Sequence, residues 1–238
     1  MKKFINYAHR GASSYAPENT MSSFRLGIKM GANGIETDVQ LTSDGVAVLF
    51  HDDTITRMTG REGKVSDYTL DELLSFDITN YGKSDKIVTL DSFLKEFGSL
   101  DLTFAIELKG KNTAKITYEH IKRYGIEDKC IITSFMYEEL LDYIAISGSR
   151  EVGYLALIKE ESEIKPLLDK MREDGIVEFC PEAKFINSKS VKEWHDLGFR
   201  VRAWGVYDEQ LMQKVYLSGA DGMTVNFPDK LTEFINKD

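Results

Sequence analysis

The chain has 238 residues, of which 42% are apolar and 29% are charged, and its formal net charge is −9. This length and composition are typical of a globular protein with a full hydrophobic core. The acidic balance argues against a polyanion such as nucleic acid as a general partner, although a few local cations can still hold a small anionic ligand.

The N-terminal segment MKKFINYAHRG contains two lysines but no apolar stretch of the signal-peptide type. No apolar run further along the chain approaches membrane-spanning length. We therefore expect a cytoplasmic protein without stable membrane insertion. The sequence leaves the formation of a homo-oligomer open.

Eight apolar, strand-like segments recur along the chain, with amphipathic helix patterns between them. All but the first follow a glycine, the residue that helices favour at a left-handed C-terminal cap. Because eight strand–helix units fit a chain of this length, the pattern predicts a (β/α)8 TIM barrel. A doubly wound open sheet is the alternative, but no G-x-G-x-x-G motif follows the first strand. The segments are KFINYAH, NGIETDVQL, DLTFAIEL, KCIITSF, EVGYLAL, GIVEFC, FRVRAW and GMTVNF.

The interval between the second and third segments is longer than the others. Gly34 and Gly98 are 64 residues apart, whereas most glycine intervals are 23 to 27 residues. We therefore predict one domain, 1–238, with an insertion of about forty residues (about 43–87) between strand 2 and strand 3 of the barrel. The Ser-Asp-Gly sequence in this insertion predicts a hairpin. A turn centred on Ser43 and Asp44 would put Glu36 opposite His51.

Polar residues collect where the predicted strands end. The C-terminal ends of barrel strands meet at one face, which is where active sites lie in this fold. A spacing of i and i+2 turns two side chains of a strand to the same face. We therefore expect the following residues to converge at the barrel mouth: His9 and Arg10 of strand 1, Glu36 and Asp38 of strand 2, His51 of the hairpin, Glu107 and Lys109 of strand 3, and Trp204 of strand 7.

This set of residues predicts a metal-dependent reaction on an anionic substrate. Three carboxylates cannot share a dry pocket without a cation, and an all-oxygen ligand set favours Mg²⁺ or Ca²⁺ over zinc. Two histidines beside the metal can act as general acid and general base near neutral pH. Arg10 and Lys109 can neutralise an anion. The set therefore suits phosphoryl transfer.

The segments HRGASSYAPENT, GANGIETDVQLTSDGVAVLFHDDTITRMTG and AIELK also resemble the glycerophosphodiester phosphodiesterase family. Weaker resemblance in VTLDSFL, RAWGVYD and GADGMTVNFPD extends the similarity over nearly the whole chain. Members of this family hydrolyse a glycerophosphodiester to sn-glycerol 3-phosphate and an alcohol such as choline or ethanolamine. The resemblance implies the same fold and reaction here, with a small glycerophosphodiester as the binding partner.

The resemblance also implies a role for each residue of the site. It implies that His9 and His51 are the acid–base pair. It also implies that one Mg²⁺ or Ca²⁺ ion is bound by Glu36, Asp38 and Glu107. The phosphate contacts would be Arg10 and Lys109, and Trp204 would form a wall of the pocket. The insertion corresponds to the family's capping subdomain. Two positions depart from the family pattern: Gly205, where Thr is usual, and Asn226, where Asp is frequent.

Two other functions are alternatives to this one. A lysophospholipase D acting on lipid-chain substrates would be favoured by an apolar rim at the mouth, whereas the acidic balance and the lack of a basic amphipathic segment do not favour it. A non-catalytic binding barrel would be expected to lack a histidine or a carboxylate of the set. This chain has all of them.

Overall fold

The computed structural model describes residues 4–237 as strands, helices and their connections. Within this range the strands are β1 (Ile5–His9), β2 (Gly34–Leu41), β3 (Ala47–Leu49), β4 (Ile78–Asn80), β5 (Lys83–Asp85), β6 (Val88–Thr89), β7 (Thr103–Leu108), β8 (Cys130–Ser134), β9 (Val152–Leu155), β10 (Glu178–Cys180), β11 (Arg200–Val206) and β12 (Gly222–Val225). The α-helices are α1 (Met21–Lys29), α2 (Thr56–Thr59), α3 (Leu70–Ser75), α4 (Leu90–Phe97), α5 (Ala114–Tyr124), α6 (Tyr137–Ser147), α7 (Ile164–Asp174), α8 (Ser188–Asp196), α9 (Glu209–Leu217) and α10 (Pro228–Ile235).

Eight parallel strands close into a barrel. Strands β7 to β12 pair in order, β7 pairs with β2, and β1 closes the sheet by pairing with both β12 and β2. This closure confirms the (β/α)8 barrel and excludes the open doubly wound sheet. The predicted strands and helices are all present, although Lys3, predicted as the start of the first strand, lies outside the described residues. In residues 4–237, no helix has both the length and the apolar character needed to cross a membrane.

The residues between β2 and α4 build a small unit with its own apolar cluster. Strand β3 pairs antiparallel with β2, β6 pairs antiparallel with β3, and β4 and β5 form a separate hairpin. Because these side chains are buried against each other and not in the main core, the segment can keep its shape beside the barrel. The cluster contains Val48, Phe50, Ile55, Met58, Val65, Leu73, Ile78 and Ile87.

The hairpin between β2 and β3 has a different register from the one predicted. Val39 pairs with Leu49 and Leu41 pairs with Ala47, so the turn centres on Asp44 alone. The loop holds one residue more than predicted because Gly45, with φ +79°, adds a left-handed position after the turn. The prediction that Glu36 lies opposite His51 is therefore wrong by one residue.

The N-cap of the first helix lies one residue later than the sequence predicts. The sequence Pro-Glu-Asn-Thr before α1 predicts Asn19 as the N-cap, but the side chain of Thr20 accepts the hydrogen bond from the backbone N–H of Ser23. Asn19 has φ +56°, and its side chain points to Asp38 instead, with Nδ2 2.8 Å from Oδ2. The polar side chain is thereby used for the barrel mouth and not for the helix end.

Gly11 of the opening motif lies where the chain passes closest to α1. Its φ is +83°, and a Cβ atom there would lie 2.7 Å from the backbone nitrogen of Phe24 and closer still to Ser23. A side chain at this position would push α1 away from the end of β1. The glycine therefore allows the residues just before it to sit against the helix N-terminus.

We expect Gly11→Ala to destabilise the protein more than Gly45→Ala. Both glycines have a left-handed φ, but a Cβ at Gly45 meets nothing within 4 Å. The Gly45 variant should lose about 1–2 kcal/mol of unfolding free energy from the backbone conformation alone. The Gly11 variant should lose about 1–3 kcal/mol more from steric overlap. Urea unfolding measures both, and equal losses would contradict the close approach of Gly11 to α1.

Candidate active site

Three carboxylates meet at the C-terminal ends of β2 and β7. Glu36 and Asp38 share one face of β2 because they are two residues apart, and Asp38 lies opposite Glu107 in the register of the two strands. One oxygen of each carboxylate lies within 4.8 Å of the others, and all three side chains are buried. The structure thus brings together the residues predicted as metal ligands.

This carboxylate cluster concentrates negative charge away from water. Burial, together with the charge of Asp38, raises the pKa of Glu107 to about 7 and raises that of Glu36 as well. Burial also opposes ionisation of Asp38, but the charge of Arg10, with Nε 3.3 Å from Oδ2, keeps the pKa of Asp38 below its usual value. The other Asp38 oxygen, Oδ1, accepts no hydrogen bond from any residue in 4–237. An unused buried acceptor among three converging carboxylates fits a hard divalent cation.

His9 ends β1 beside this cluster. Its Nδ1 lies 2.6 Å from Oδ1 of Asn226, which directly follows β12. Because an amide oxygen only accepts, His9 donates through Nδ1 and leaves Nε2 without a proton, 3.8 Å from Oε2 of Glu36. Burial and the nearby Arg10 lower the pKa of His9 to about 3. These surroundings favour the neutral imidazole, in which Nε2 carries no proton.

His51 reaches the same pocket from the segment after β3. Its Nδ1 lies 2.8 Å from Oδ1 of Asp52, and its Nε2 lies 3.1 Å from Nζ of Lys109. Lys109 is also 3.2 Å from Oε1 of Glu107. Because an ammonium only donates and a carboxylate only accepts, Nε2 of His51 accepts from Lys109 and Nδ1 donates to Asp52. Nδ1 of His51 thus faces a charged carboxylate, whereas Nδ1 of His9 faces a neutral amide.

Arg10 connects the first loop with the carboxylates. Its guanidinium contacts Asp38, as described, and Glu18, with Nη1 3.0 Å from Oε1. Its backbone has φ +55°, which is rare for a residue with a side chain and costs energy that the surroundings must offset. Backbone and side chain of Arg10 both approach the cluster, since its N–H also lies 3.1 Å from Oε2 of Glu36.

The lining of a pocket of about 200 Å³ includes both histidines, Arg10, Glu36 and Glu107. The same pocket is also lined by Phe135, Leu155, Trp204 and Tyr207, and the ring centroids of Phe135 and Trp204 lie 5.1 Å apart in an edge-to-face arrangement. The predicted wall residue Trp204 thus borders the pocket. Its Nε1 is buried without a hydrogen-bond partner in residues 4–237 and is therefore an available donor.

Gly205 affects the shape of this wall. Its φ is +70°, and a Cβ atom there would lie 3.2 Å from both Oη of Tyr207 and Cγ of Glu182. A threonine would add still more atoms at this point and would displace the Tyr207 ring. The glycine at this position, where the family usually has Thr, therefore leaves room for the Tyr207 ring beside the pocket.

The structure adds four polar residues that the sequence analysis did not assign to the site. They are Glu18, Asn19, Asp52 and Asn226, which hydrogen-bond to Arg10, Asp38, His51 and His9, respectively. A sequence signal exists for three of them, since Glu18 and Asn19 lie in the opening motif and Asp52 directly follows His51. Asn226 had been noted only as a departure from the family pattern, and its partner is 217 residues away.

Comparisons with known proteins agree with this geometry. A profile of the glycerophosphoryl diester phosphodiesterase family matches residues 9–230. A glycerophosphodiester phosphodiesterase of Caldanaerobacter subterraneus subsp. tengcongensis is 30% identical, over 99% of each sequence. The structure of an Oleispira antarctica phosphodiesterase in complex with the product sn-glycerol-3-phosphate has a TM-score of 0.86 and 27% identity, covering 98% of this chain and 96% of that one. A glycerophosphodiester phosphodiesterase of Thermotoga maritima has a TM-score of 0.77 and 25% identity, covering 98% and 99%. The predicted family and enzyme class are thus confirmed, and the chain belongs to the glycerophosphoryl diester phosphodiesterase family.

Proposed function

We propose that this protein hydrolyses small glycerophosphodiesters to sn-glycerol 3-phosphate and an alcohol, with the help of one divalent metal ion. The observation that carries the proposal is a buried three-carboxylate cluster, two members of which, Glu36 and Glu107, line one pocket together with His9 and His51. Family membership supports the reaction, and the product bound to the Oleispira relative supports the substrate class. The test is release of sn-glycerol 3-phosphate from a panel of glycerophosphodiesters.

The metal and two basic side chains would hold the phosphate. Glu36, Asp38 and Glu107 would bind one Mg²⁺ or Ca²⁺, which when bound supplies positive charge to the phosphate oxygens. Arg10 and Lys109 bring further positive charge to the same place, since each already pairs with a carboxylate of the cluster. Together these groups stabilise charge that develops on the phosphate during the reaction.

The different partners of the two histidines support different roles for them. His9, neutral and with a free Nε2, would act as the general base and take the proton from the attacking water molecule. That oxygen forms the new bond to phosphorus while the bond to the departing alcohol breaks. His51, held through Nδ1 by the Asp52 carboxylate, would give a proton to the departing oxygen. Because Nε2 of His51 accepts from the Lys109 ammonium in the structure, this role requires Nε2 to take up a proton before the transfer.

The insertion would limit the size of the substrate. We propose that residues 43–87 act as a cap, because they carry His51 to the pocket and stand beside the barrel mouth. The cap touches the first loop, where Nζ of Lys83 donates to the backbone oxygen of Tyr15 at 2.6 Å. A short diester fits a pocket of about 200 Å³, whereas a long acyl chain would have to leave through the opening.

We expect kcat/KM for glycerophosphocholine or glycerophosphoethanolamine to exceed that for lysophosphatidylcholine by about tenfold or more, equivalent to about 1.4 kcal/mol. Two exposed apolar side chains, Leu157 and Tyr207, follow β9 and β11, so the lysophospholipase D alternative has an observation in its favour. Both reactions are measured below the micelle-forming concentration of the lipid, with sn-glycerol 3-phosphate and choline assayed separately. A higher kcat/KM for the lipid would favour the lysophospholipase D instead.

A further inference from the structure

Arg57 lies outside the pocket, in the short helix α2 of the insertion, and its guanidinium holds two carboxylates at once. With Asp52 it makes contacts of 2.6 Å (Nε to Oδ2) and 2.9 Å (Nη2 to Oδ1). With Glu18 it makes contacts of 3.0 Å (Nη1 to Oε2) and 2.7 Å (Nη2 to Oε1). Such two-pronged pairing fixes both position and orientation of a carboxylate.

Each of these carboxylates also holds a residue of the proposed active site. Oδ1 of Asp52 accepts from Nδ1 of His51, and Oε1 of Glu18 accepts from Nη1 of Arg10. The same Nη2 of Arg57 donates to both of these oxygens. Arg57 is therefore one carboxylate away from a proposed proton donor and, on its other side, one carboxylate away from a proposed phosphate contact.

The two carboxylates of this network already have cationic partners. Glu18, His51 and Asp52 lie close enough together to be considered as a second metal site. However, Arg57 hydrogen-bonds to both carboxylates, and Arg10 hydrogen-bonds to Glu18. Burial opposes ionisation of Asp52, but the hydrogen bonds of Arg57 and His51 outweigh it and lower the pKa of Asp52 to about 2. Arg57 thus takes the place that a cation would have, and the Asp52 carboxylate stays charged.

We propose that Arg57 is a positioning residue, through which the insertion sets the orientation of His51 for phosphodiester hydrolysis. The inference rests on the function proposed above for His51. Arg57 does not border the pocket and has no contact with the three-carboxylate cluster among the interactions of residues 4–237. Its effect on the reaction is exerted through Asp52, while Glu18 holds the other side of its guanidinium.

The test compares Arg57→Ala and Arg57→Lys with Arg25→Ala. Arg25 makes the same kind of two-pronged contact on the surface, with Glu96, at 2.6 and 2.7 Å. On glycerophosphocholine we expect Arg57→Ala to lower kcat by about 10–100-fold with a smaller change in KM, which is the size of effect seen when a supporting partner is lost. Arg57→Lys should recover only part of the rate, because an ammonium cannot bridge two carboxylates as a planar guanidinium does. Arg25→Ala should stay within about twofold of the unmodified protein, as for an ordinary surface pair.

The dependence on the leaving group separates positioning from damage to the fold. If Arg57 acts through His51, the loss caused by Arg57→Ala should be smaller on a nitrophenyl diester, whose leaving group needs no proton. An equal loss on both substrates, or a fall in the thermal midpoint far beyond that of Arg25→Ala, would overturn the inference in favour of a structural role.

A parallel measurement on His51→Ala separates the positioning role of Arg57 from the function proposed for His51. If His51→Ala loses activity while Arg57→Ala keeps the full kcat, only the positioning role of Arg57 is overturned. If His51→Ala itself keeps the full rate, the proposed function of His51 has failed and the inference falls with it. Loss in both, with the leaving-group dependence described above, supports both.

Discussion

Treatment with EDTA should abolish hydrolysis of glycerophosphocholine, and addition of Mg²⁺ or Ca²⁺ should restore it. The reason is the cluster of Glu36, Asp38 and Glu107, whose burial and mutual repulsion raise the pKa of two of its members. A divalent cation would reduce that repulsion, and Asp38 has a buried oxygen without a hydrogen-bond partner in residues 4–237 that could bind it. The measurement is the rate of sn-glycerol 3-phosphate release, with metal content determined before and after chelation. Full activity of a demonstrably metal-free protein would contradict the proposed metal site.

Glu107→Gln should weaken metal binding strongly, because it removes a proposed ligand. The loss of affinity should exceed about 10–100-fold, which is the effect of losing a residue that only supports a ligand. Glu139→Gln is a matched control, since Glu139 is also a buried glutamate but borders no part of this pocket. Binding is followed without an activity assay, by the rise in thermal midpoint as Mg²⁺ or Ca²⁺ is added, because a ligand of the folded state stabilises it. Equal metal responses in the two variants would argue against Glu107 as a ligand.

The two histidine variants should each lose activity on the natural diester but should differ on an activated one. Choline leaves as a poor alkoxide, so loss of the general acid should cost on the order of 10²–10⁴-fold. A nitrophenolate leaves without a proton. His51→Ala should therefore recover much of its rate on a nitrophenyl diester, whereas His9→Ala should fail on both substrates because the base is missing.

The control for these variants is His195→Ala, which removes an exposed histidine of α8 and should leave both rates unchanged. Metal content must be equal in all variants, since His9 lies 3.8 Å from Glu36. Rescue of His9→Ala in place of His51→Ala would exchange the two roles. Near-normal rates of both variants on glycerophosphocholine would show that neither histidine is the acid or the base.

Several features of the site could be predicted because they depend on short stretches of chain. The i, i+2 spacing of Glu36 and Asp38 turns both to one face of a strand, whatever surrounds that strand. Glycines at the helix ends and the alternation of strand and helix patterns predicted the barrel, and parallel strands bring their C-terminal ends to one face. The location of the three carboxylates near the C-terminal ends of strands was therefore enough to predict that they would meet.

The hairpin register and the first helix cap were harder to predict because each depends on a choice between two close local solutions. Gly45 adds a left-handed residue to the turn after Thr42, which moves every pair of β2 and β3 by one position. Asn19 and Thr20 are both good capping residues, and the buried charge of Asp38 favours Asn19 as its own partner. The conformation of the turn decided the first case, and a tertiary contact decided the second, between alternatives of similar local energy.

The sequence by itself determined the strand and helix order, the closed barrel, the family and the residues that gather at the mouth. These depend on periodicity, turn chemistry and motifs, which are local properties of the chain. Only the tertiary structure decided that Asn226 holds His9, that Arg57 of the insertion joins Asp52 to Glu18, and that His51 meets Lys109. The physical reason is that a hydrogen bond forms only when the donor and acceptor atoms are placed to within a few tenths of an ångström. For partners 39 to 217 residues apart in the sequence, only the packing of the folded chain places the atoms so closely.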